Sequence, residues 1–254
     1  MNIHHIAITS TDLGRLKAKL DAVLPDIDLG VHSFNERVMG IKGQSPEILV
    51  YRAGREQNNF EFLLGSPGLR RLQIGAAEPA TVSSHVASGD LEQSECSEVW
   101  RLKNHDNLEL VIQQLKGATN THVTTLDLSV ANLLQAKDFY KELLRPLDVE
   151  LCEATPDSFE IKSLSNCSIR FHQATEELKD RQHVYRAPGF HHLAFQVDSR
   201  EQVEHTYQTA LALNSEILDP PFDYPQYSDG YYAVYFCDLD GMKLEFAHIP
   251  TATD

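Results

Sequence analysis

The hydrophobic pattern in the second half of the chain predicts a strand, a helix and three further strands. Thr124–Val130 alternates apolar and polar residues, as a half-buried strand does. Asn132 follows as a predicted helix N-cap, and apolar residues then recur at helical spacing as far as Leu144. Short strand patterns follow at 149–153, 158–162 and 168–173. This stretch is predicted to be a βαβββ module.

The same order of elements is predicted again from residue 191 to residue 248. His191–Val197 has a strand pattern, and Ser199 with Gln202 predicts a capped helix that runs to about Leu213. Further strands are predicted near 217–218, 231–237 and 242–248. Two copies of one unit in succession are an internal repeat, which sets the interpretation of the whole chain.

The N-terminal half carries a fainter copy of this plan. His5–Ile8 and an amphipathic stretch to Leu24 predict the start of a first module, in which strict alternation turns His4 away from His5. We expect 59–63, with Glu61, to be the last strand of that module. A turn at Pro67-Gly68 then leads into a second module.

The second module is predicted to end in a hairpin at 102–111, which carries Glu109. The small, polar stretch Gly117–Thr121 is the predicted linker between the halves. The predicted fold class is α+β with four βαβββ modules. They would form a degenerate N-terminal pair over 1–116 and a second pair over 121–250.

Charge and composition narrow the possible partners. Aspartate and glutamate number 37 against 22 for lysine and arginine, a net charge of −15. Such a surface repels phosphate backbones and anionic lipid, so neither nucleic acid nor a membrane is an expected partner. The sequence has neither a secretion signal nor a long apolar run, and we expect a cytoplasmic protein. The four cysteines are scattered without a CxxC pair, which disfavours a zinc knuckle or a disulfide framework.

Two segments of the last module carry a family resemblance. HHLAFQV and, after the helix, DPPFDYPQYSDGYYAVYFCDLDGMKLEF resemble the vicinal oxygen chelate superfamily, which includes glyoxalase I, extradiol dioxygenases and the fosfomycin and bleomycin resistance proteins. The likeness is strong over 188–249, good over 121–174 and weak over 1–112. It implies that consecutive modules pair into two half-barrel domains. It also implies a divalent metal (Fe, Mn, Zn or Ni), a small oxygenated or aromatic ligand, and a homodimer.

The resemblance places metal ligands on the first and last strands of each module. The C-terminal pair then offers Thr125, Arg170, His192 and Glu245, and the N-terminal pair offers His5, Glu61, Arg71 and Glu109. His192 and Glu245 match the family pattern. Imidazole and carboxylate are suitable ligands for the divalent metals named above.

Thr125 departs from the family pattern, because a hydroxyl is a weak ligand. Asp127 or His172, each one pleat along its strand, is predicted to supply the third ligand of a two-histidine, one-carboxylate site. In the alternative, Arg170 pairs with Glu245 or clamps an anionic substrate. In the N-terminal half, Arg71 between carboxylates indicates an ion-pair scaffold.

The resemblance to ring-cleaving enzymes also extends to a motif. The run Tyr235-x-x-Asp238-x-x-Gly241-x-x-x-Glu245 fits, but the histidine usual before the tyrosine is absent. Tyr235 or His172 is therefore the candidate for proton transfer. A glyoxalase I site is disfavoured, because it would need glutamate at Arg170 and histidine at Thr125. The aromatic residues of a proline-rich loop are expected to line the pocket with Thr125 and Arg170, namely Phe222, Tyr224, Tyr227 and Tyr232.

Two functions follow from these residues. The first is a metal-dependent enzyme of dioxygenase, lyase or isomerase type that acts on a small oxygenated or aromatic molecule. The second is a metal-free module that binds and sequesters a small aromatic or anionic ligand.

Overall fold

A computed structural model gives the structure of the protein. It describes residues 2–250 except 44–45, 58–59, 77–84, 87, 90, 94–98, 104, 148, 150 and 163–166. The first module consists of β1 (Asn2–Ser10), α1 (Leu13–Val23), β2 (Gly30–Phe34), β3 (Val38–Lys42) and β4 (Glu47–Arg52). The second contains β5 (Gly68–Ala76), β6 (Glu92–Gln93), β7 (Val99–Lys103) and β8 (Glu109–Gln114).

The other two modules have the predicted order of elements. The third consists of β9 (His122–Val130), α2 (Leu133–Leu144), β10 (Leu151–Thr155), β11 (Ser158–Lys162) and β12 (Ser168–Gln173). The fourth consists of β13 (Gly189–Val197), α3 (Arg200–Ala212), β14 (Ile217–Asp223), β15 (Tyr232–Cys237) and β16 (Lys243–His248). The predicted N-cap is confirmed, since the Asn132 side chain accepts a hydrogen bond from the backbone N–H of Gln135.

The modules form two eight-stranded mixed sheets. The first sheet has the order β14-β15-β16-β13-β1-β4-β3-β2, and the second β10-β11-β12-β9-β5-β8-β7-β6. Within a module the first and last strands are parallel, and the two modules of a sheet meet through antiparallel first strands. The α+β class with four modules in two half-barrels is therefore confirmed.

The pairing of modules differs from the prediction. The first module pairs with the fourth and the second with the third, so that 1–116 and 121–250 do not each form one sheet. The length of the connections accounts for this arrangement. Segments 53–67 and 174–188 are long enough to cross between the sheets, whereas the short segment 115–121 joins two modules of the same sheet.

The first module also ends earlier than predicted. Its last strand is β4, and residues 60–63 of the predicted strand have no regular structure, while residue 59 lies outside the described part. Ile48 and Val50 supply the apolar alternation that β4 needs, and both are buried. The hairpin of β7 and β8 forms as predicted.

The core lies between the helices and one face of each sheet. Leu16 and Leu20 of α1 and Phe139 and Leu143 of α2 belong to it. The opposite face of each sheet is left to polar side chains, and this is where the two concave sites described below are found. None of the described helices is both long and apolar enough to span a membrane.

Candidate metal centre

Two β-bulges bring four histidines to one face of the first sheet. The register between β1 and β13 shifts between Ile3 and His5, and again opposite His191. A bulge inserts one residue, so consecutive side chains there no longer alternate. His4 and His5 therefore lie together, with their Nδ1 atoms 2.8 Å apart, and the strict alternation predicted for His4 is wrong.

The same geometry occurs on the neighbouring strand. The Nδ1 atoms of His191 and His192 lie 2.6 Å apart, and the His191 ring stacks on Tyr51 with centroids 4.4 Å apart. The two histidine pairs are related by the local symmetry of the antiparallel strands. In each pair the second histidine directs its Nε2 atom towards the middle of the sheet.

Three donor atoms converge there. The Nε2 atoms of His5 and His192 are 2.7 Å apart, and they lie 3.6 and 3.4 Å from Oε2 of Glu245. The three side chains are buried, with residue exposures of 6%, 4% and 2%. His5, His192 and Glu245 are the one group of at least three histidine, cysteine or acidic residues with this convergence in the described part of the chain. We call it the His–Glu centre.

Glu245 is oriented by two tyrosines. The Tyr235 hydroxyl donates a hydrogen bond of 2.8 Å to Oε1 of Glu245, and Tyr231 donates to the same oxygen. Tyr235 is in register with Glu245 on the adjacent strand β15, whereas Tyr231 immediately precedes that strand. Because both phenols bind Oε1, Oε2 is left to face the histidines.

Burial keeps the histidines of the centre neutral. It lowers the pKa of His5 to about 3, assisted by His192 nearby, and it lowers the pKa of His192 well below its ordinary value. Neutral imidazole is the form that binds metals. When Nδ1 carries the proton, it can donate to the neighbouring histidine and leave the Nε2 lone pair free for a metal.

Beside the centre lies a cavity of about 450 Å³. Its aromatic walls are Tyr51, Tyr227, Tyr231 and Tyr235, and its polar groups include Glu47 and Lys243. The Lys243 ammonium lies 4.4 Å from the centroid of the Tyr235 ring, and burial lowers its pKa although the charge of Glu245 acts in the opposite direction. The cavity is large enough for a small aromatic molecule.

Leu49 of the first module stands where the fourth module has Glu245. Glu245 on β16 is in register with Ala194, two residues after His192, and Leu49 on β4 is in register with Ala7, two residues after His5. We call this the fourth position of the centre. Leu49 lines the cavity but has no donor atom. The centre therefore offers three protein ligands on one side, with room for other ligands on the side of Leu49.

Several predicted site residues lie on the second sheet, away from the centre. Asp127, predicted as a metal ligand, accepts hydrogen bonds from Arg71 (3.2 Å), Gln73 (2.9 Å) and His172 (2.8 Å). Arg170 and Thr125 lie on the same sheet. The structure thus does not bring Asp127, His172, Arg170 or Thr125 to His192 and Glu245, because the module pairing differs from the prediction. His5 of the first module is the third member of the His–Glu centre instead.

The aromatic loop contributes to the cavity in part. Tyr227 lines it, and Tyr224 stacks on Tyr227 and meets Tyr235 edge-on at 5.3 Å. Phe222 is 67% exposed, and Tyr232 donates to Glu204 on the surface, so neither lines the cavity. Tyr231, a further aromatic residue at the end of this loop, also lines the cavity.

Tyr235 lies in the site as predicted, but its environment keeps it protonated. Burial and the charge of Glu245 raise its pKa far above the ordinary value, and the same holds for Tyr231. Both phenols therefore act as hydrogen-bond donors to Glu245 at neutral pH.

Comparisons with known proteins agree with this fold. The family model of the Glyoxalase/Bleomycin resistance protein/Dioxygenase superfamily matches residues 121–246. Glyoxalase I from Zea mays superposes with a TM-score of 0.69 at 13% identity, covering 97% of this chain and 92% of that one. A putative dioxygenase from Bacillus subtilis superposes with a TM-score of 0.64 at 13% identity, covering 99% and 86%. No curated protein matches the sequence. Residues 121–246 therefore match the Glyoxalase/Bleomycin resistance protein/Dioxygenase superfamily, and the chain as a whole shares the fold of these two structures.

Proposed function

We propose that the protein is a metal-dependent enzyme of dioxygenase type, with the metal held by His5, His192 and Glu245. The observation that carries the proposal is the convergence of two imidazole nitrogens and one carboxylate oxygen beside a leucine. Two histidines and one carboxylate with open positions are the typical ligand set of non-haem Fe(II) oxygenases. A four-ligand centre of glyoxalase type would need a donor where Leu49 stands.

The residues of the centre fit a divalent metal in three respects. Both histidines are neutral, the Oε2 atom of Glu245 is turned towards them, and Oε1 is held by two phenols. Each ligand thus has a second partner that orients it, as metal ligands generally do. When bound, the metal would supply Lewis-acid activation of a substrate with adjacent oxygens and, as Fe(II), a place for dioxygen.

The surrounding side chains indicate the class of substrate. Tyr51 and Tyr227 offer ring faces to an aromatic molecule in the cavity. Lys243 can hold an anionic oxygen of that molecule, and its lowered pKa suits it to exchange a proton there. It replaces Tyr235 and His172 as the candidate for proton transfer, since Tyr235 keeps its proton and His172 is remote. We therefore propose a catechol-like or similarly oxygenated aromatic substrate.

The proposal is tested by metal analysis and oxygen uptake. Protein purified anaerobically and reconstituted with Fe(II) should bind about one metal per chain and consume dioxygen with a member of a catechol panel. Glu245→Gln should lower metal occupancy at least tenfold. Glu47→Gln is the matched control, because Glu47 lines the same cavity but hydrogen-bonds His32 instead. Equal metal occupancy in wild type and Glu245→Gln would contradict the proposal.

A metal-free binding protein is the second candidate. The observation that favours it is the 2.7 Å contact between the Nε2 atoms of His5 and His192, which pairs these groups without an ion. In that case a catechol should raise the melting temperature equally with and without a chelator. A metal enzyme should lose this stabilisation when the chelator is present.

A further inference from the structure

The second sheet repeats the architecture of the His–Glu centre with different chemistry. Its two first strands, β5 and β9, also carry paired register shifts, which place Arg71 and Thr125 where the first sheet has His5 and His192. Arg170 is in register with Asp127 and so occupies the position of Glu245. The concave face of this sheet thus presents guanidinium groups where the other presents metal ligands.

Asp127 organises these cations. It is fully buried and accepts hydrogen bonds from Arg71, Gln73 and His172. Burial raises the pKa of its carboxyl, but the hydrogen bond of His172 and the charge of Arg71 outweigh burial, so the pKa lies below its usual range. Asp127 is therefore an ionised anchor that fixes the direction of the guanidinium groups.

Some hydrogen-bond donors of Arg71 and Arg170 on this face have no acceptor among the described residues. Arg71 binds Asp127 through Nε, and its Nη atoms make no hydrogen bond to the described residues. Arg170 donates from Nη2 to Glu160 at 3.2 Å, while its Nε is buried and makes no hydrogen bond to described residues. Lys162 lies two residues from Glu160 on β11, so it faces the same side of the sheet.

The charge balance of the face is positive. Three cationic side chains (Arg71, Arg170 and Lys162) stand against the two carboxylates of Asp127 and Glu160. Arg101 adds a further cation and Glu109 a further carboxylate on the face opposite the buried Leu102 and Leu110, so an excess of one positive charge remains. In a protein with a net charge of −15, such a local excess of basic residues favours the binding of an anion at this face.

A cavity opens onto these groups. Its volume is about 390 Å³, and Lys162, Arg170, His172 and Ser158 contribute polar donors to its lining. We propose that this cavity is a second binding site, separate from the His–Glu centre, that takes a small oxyanion such as a carboxylate or a phosphate. Arg170 binds the anion through its planar guanidinium, and Lys162 and His172 complete the contact.

Isothermal titration calorimetry with inorganic phosphate and with malonate, each at low ionic strength, tests this site. We expect saturable binding of at least one anion to the whole protein with a Kd below about 1 mM, and a weakening with added salt. Arg170→Gln should raise the Kd about tenfold or more, since a charge-assisted contact is lost. The anion that binds more tightly identifies phosphate or carboxylate as the natural group.

Two further variants keep the test decisive if Arg170→Gln fails to fold. Lys162 makes no ion pair with the described residues, so Lys162→Gln should fold, and it should raise the Kd about threefold to tenfold. Glu245→Gln in the His–Glu centre should leave the anion affinity unchanged, so failure of the proposed metal function would not affect this result. The absence of saturable binding by either anion would overturn the proposal and leave the cluster as an internal ion-pair scaffold. A Kd unchanged in both Arg170→Gln and Lys162→Gln would overturn it as well.

Discussion

Replacing Tyr235 with phenylalanine tests whether Glu245 is an oriented metal ligand. The change removes one of the two hydroxyls that bind Oε1 of Glu245. Because Glu245 is only 2% exposed, water cannot replace the lost hydroxyl. The carboxyl then becomes freer to rotate, so a metal loses the orientation of one of its ligands. Loss of a group that orients a metal ligand lowers affinity by about 10- to 100-fold. This range corresponds to about 1.4–2.8 kcal/mol.

The assay is a competition titration of Co(II) or Zn(II) against a chromophoric chelator at pH 7. Tyr140→Phe is the matched control, because this buried hydroxyl donates to Asp238 at 2.7 Å, outside the centre. Both variants should lose stability to urea, but only Tyr235→Phe should lose metal affinity. If Tyr235→Phe bound metal as tightly as Tyr140→Phe, the assignment of Glu245 as a ligand oriented by Tyr235 would be wrong.

Three further predictions concern the fourth position, pH and the second sheet. Leu49→Glu should add a ligand and raise Zn(II) affinity at least tenfold while abolishing oxygen uptake, and the chelator titration with an oxygen electrode checks both. Burial lowers the pKa of His5 to about 3 and of His183 to about 4. As the pH falls, these histidines are therefore protonated in the unfolded chain before they are protonated in the folded protein. The free energy of unfolding of the metal-free protein should therefore be greatest above pH 6.5. Each of these histidines should lower it by about 1.4 kcal/mol per pH unit as the pH drops towards 4. Urea melts measure this slope, and a slope that is unchanged in His183→Gln would contradict its origin. Asp127→Ala should destabilise the fold by about 3 kcal/mol, because it strands Arg71, and a melt showing less than 1 kcal/mol would contradict that role.

Local patterns in the sequence predict the elements of this fold well. Alternation and capping locate β9, α2 and β13 within a few residues, because each depends only on neighbours along the chain. The family resemblance indicates His192 and Glu245, and both lie in one module, where the register between the strands is fixed locally.

The partner of that pair could not be predicted in the same way. His5 lies 187 positions from His192 in the sequence, and their contact depends on which modules share a sheet. Sheet sharing depends on the reach of the connections at 53–67 and 174–188, which carry no periodic signal. The face of the strand on which the His4 side chain lies was predicted wrongly for another reason. A β-bulge puts consecutive side chains on the same face without changing the apolar pattern of the sequence.

Each sheet has a buried carboxylate on its polar face, and the two carboxylates have different partners. Asp127 is surrounded by the guanidinium groups of Arg71 and Arg170, so its charge is compensated within the protein. Glu245 is as deeply buried, yet among the described residues its partners within 4 Å are neutral phenols and neutral imidazoles.

An ionised carboxylate in such surroundings carries a large desolvation cost that hydrogen bonds offset only in part. A divalent cation between Oε2 and the two Nε2 atoms would compensate the charge and use the three unshared lone pairs at once. Metal binding should therefore stabilise the fold itself, and a chelator should lower the melting temperature of wild type but leave that of Glu245→Gln unchanged. An equal effect of the chelator on both proteins would show that Glu245 needs no cation.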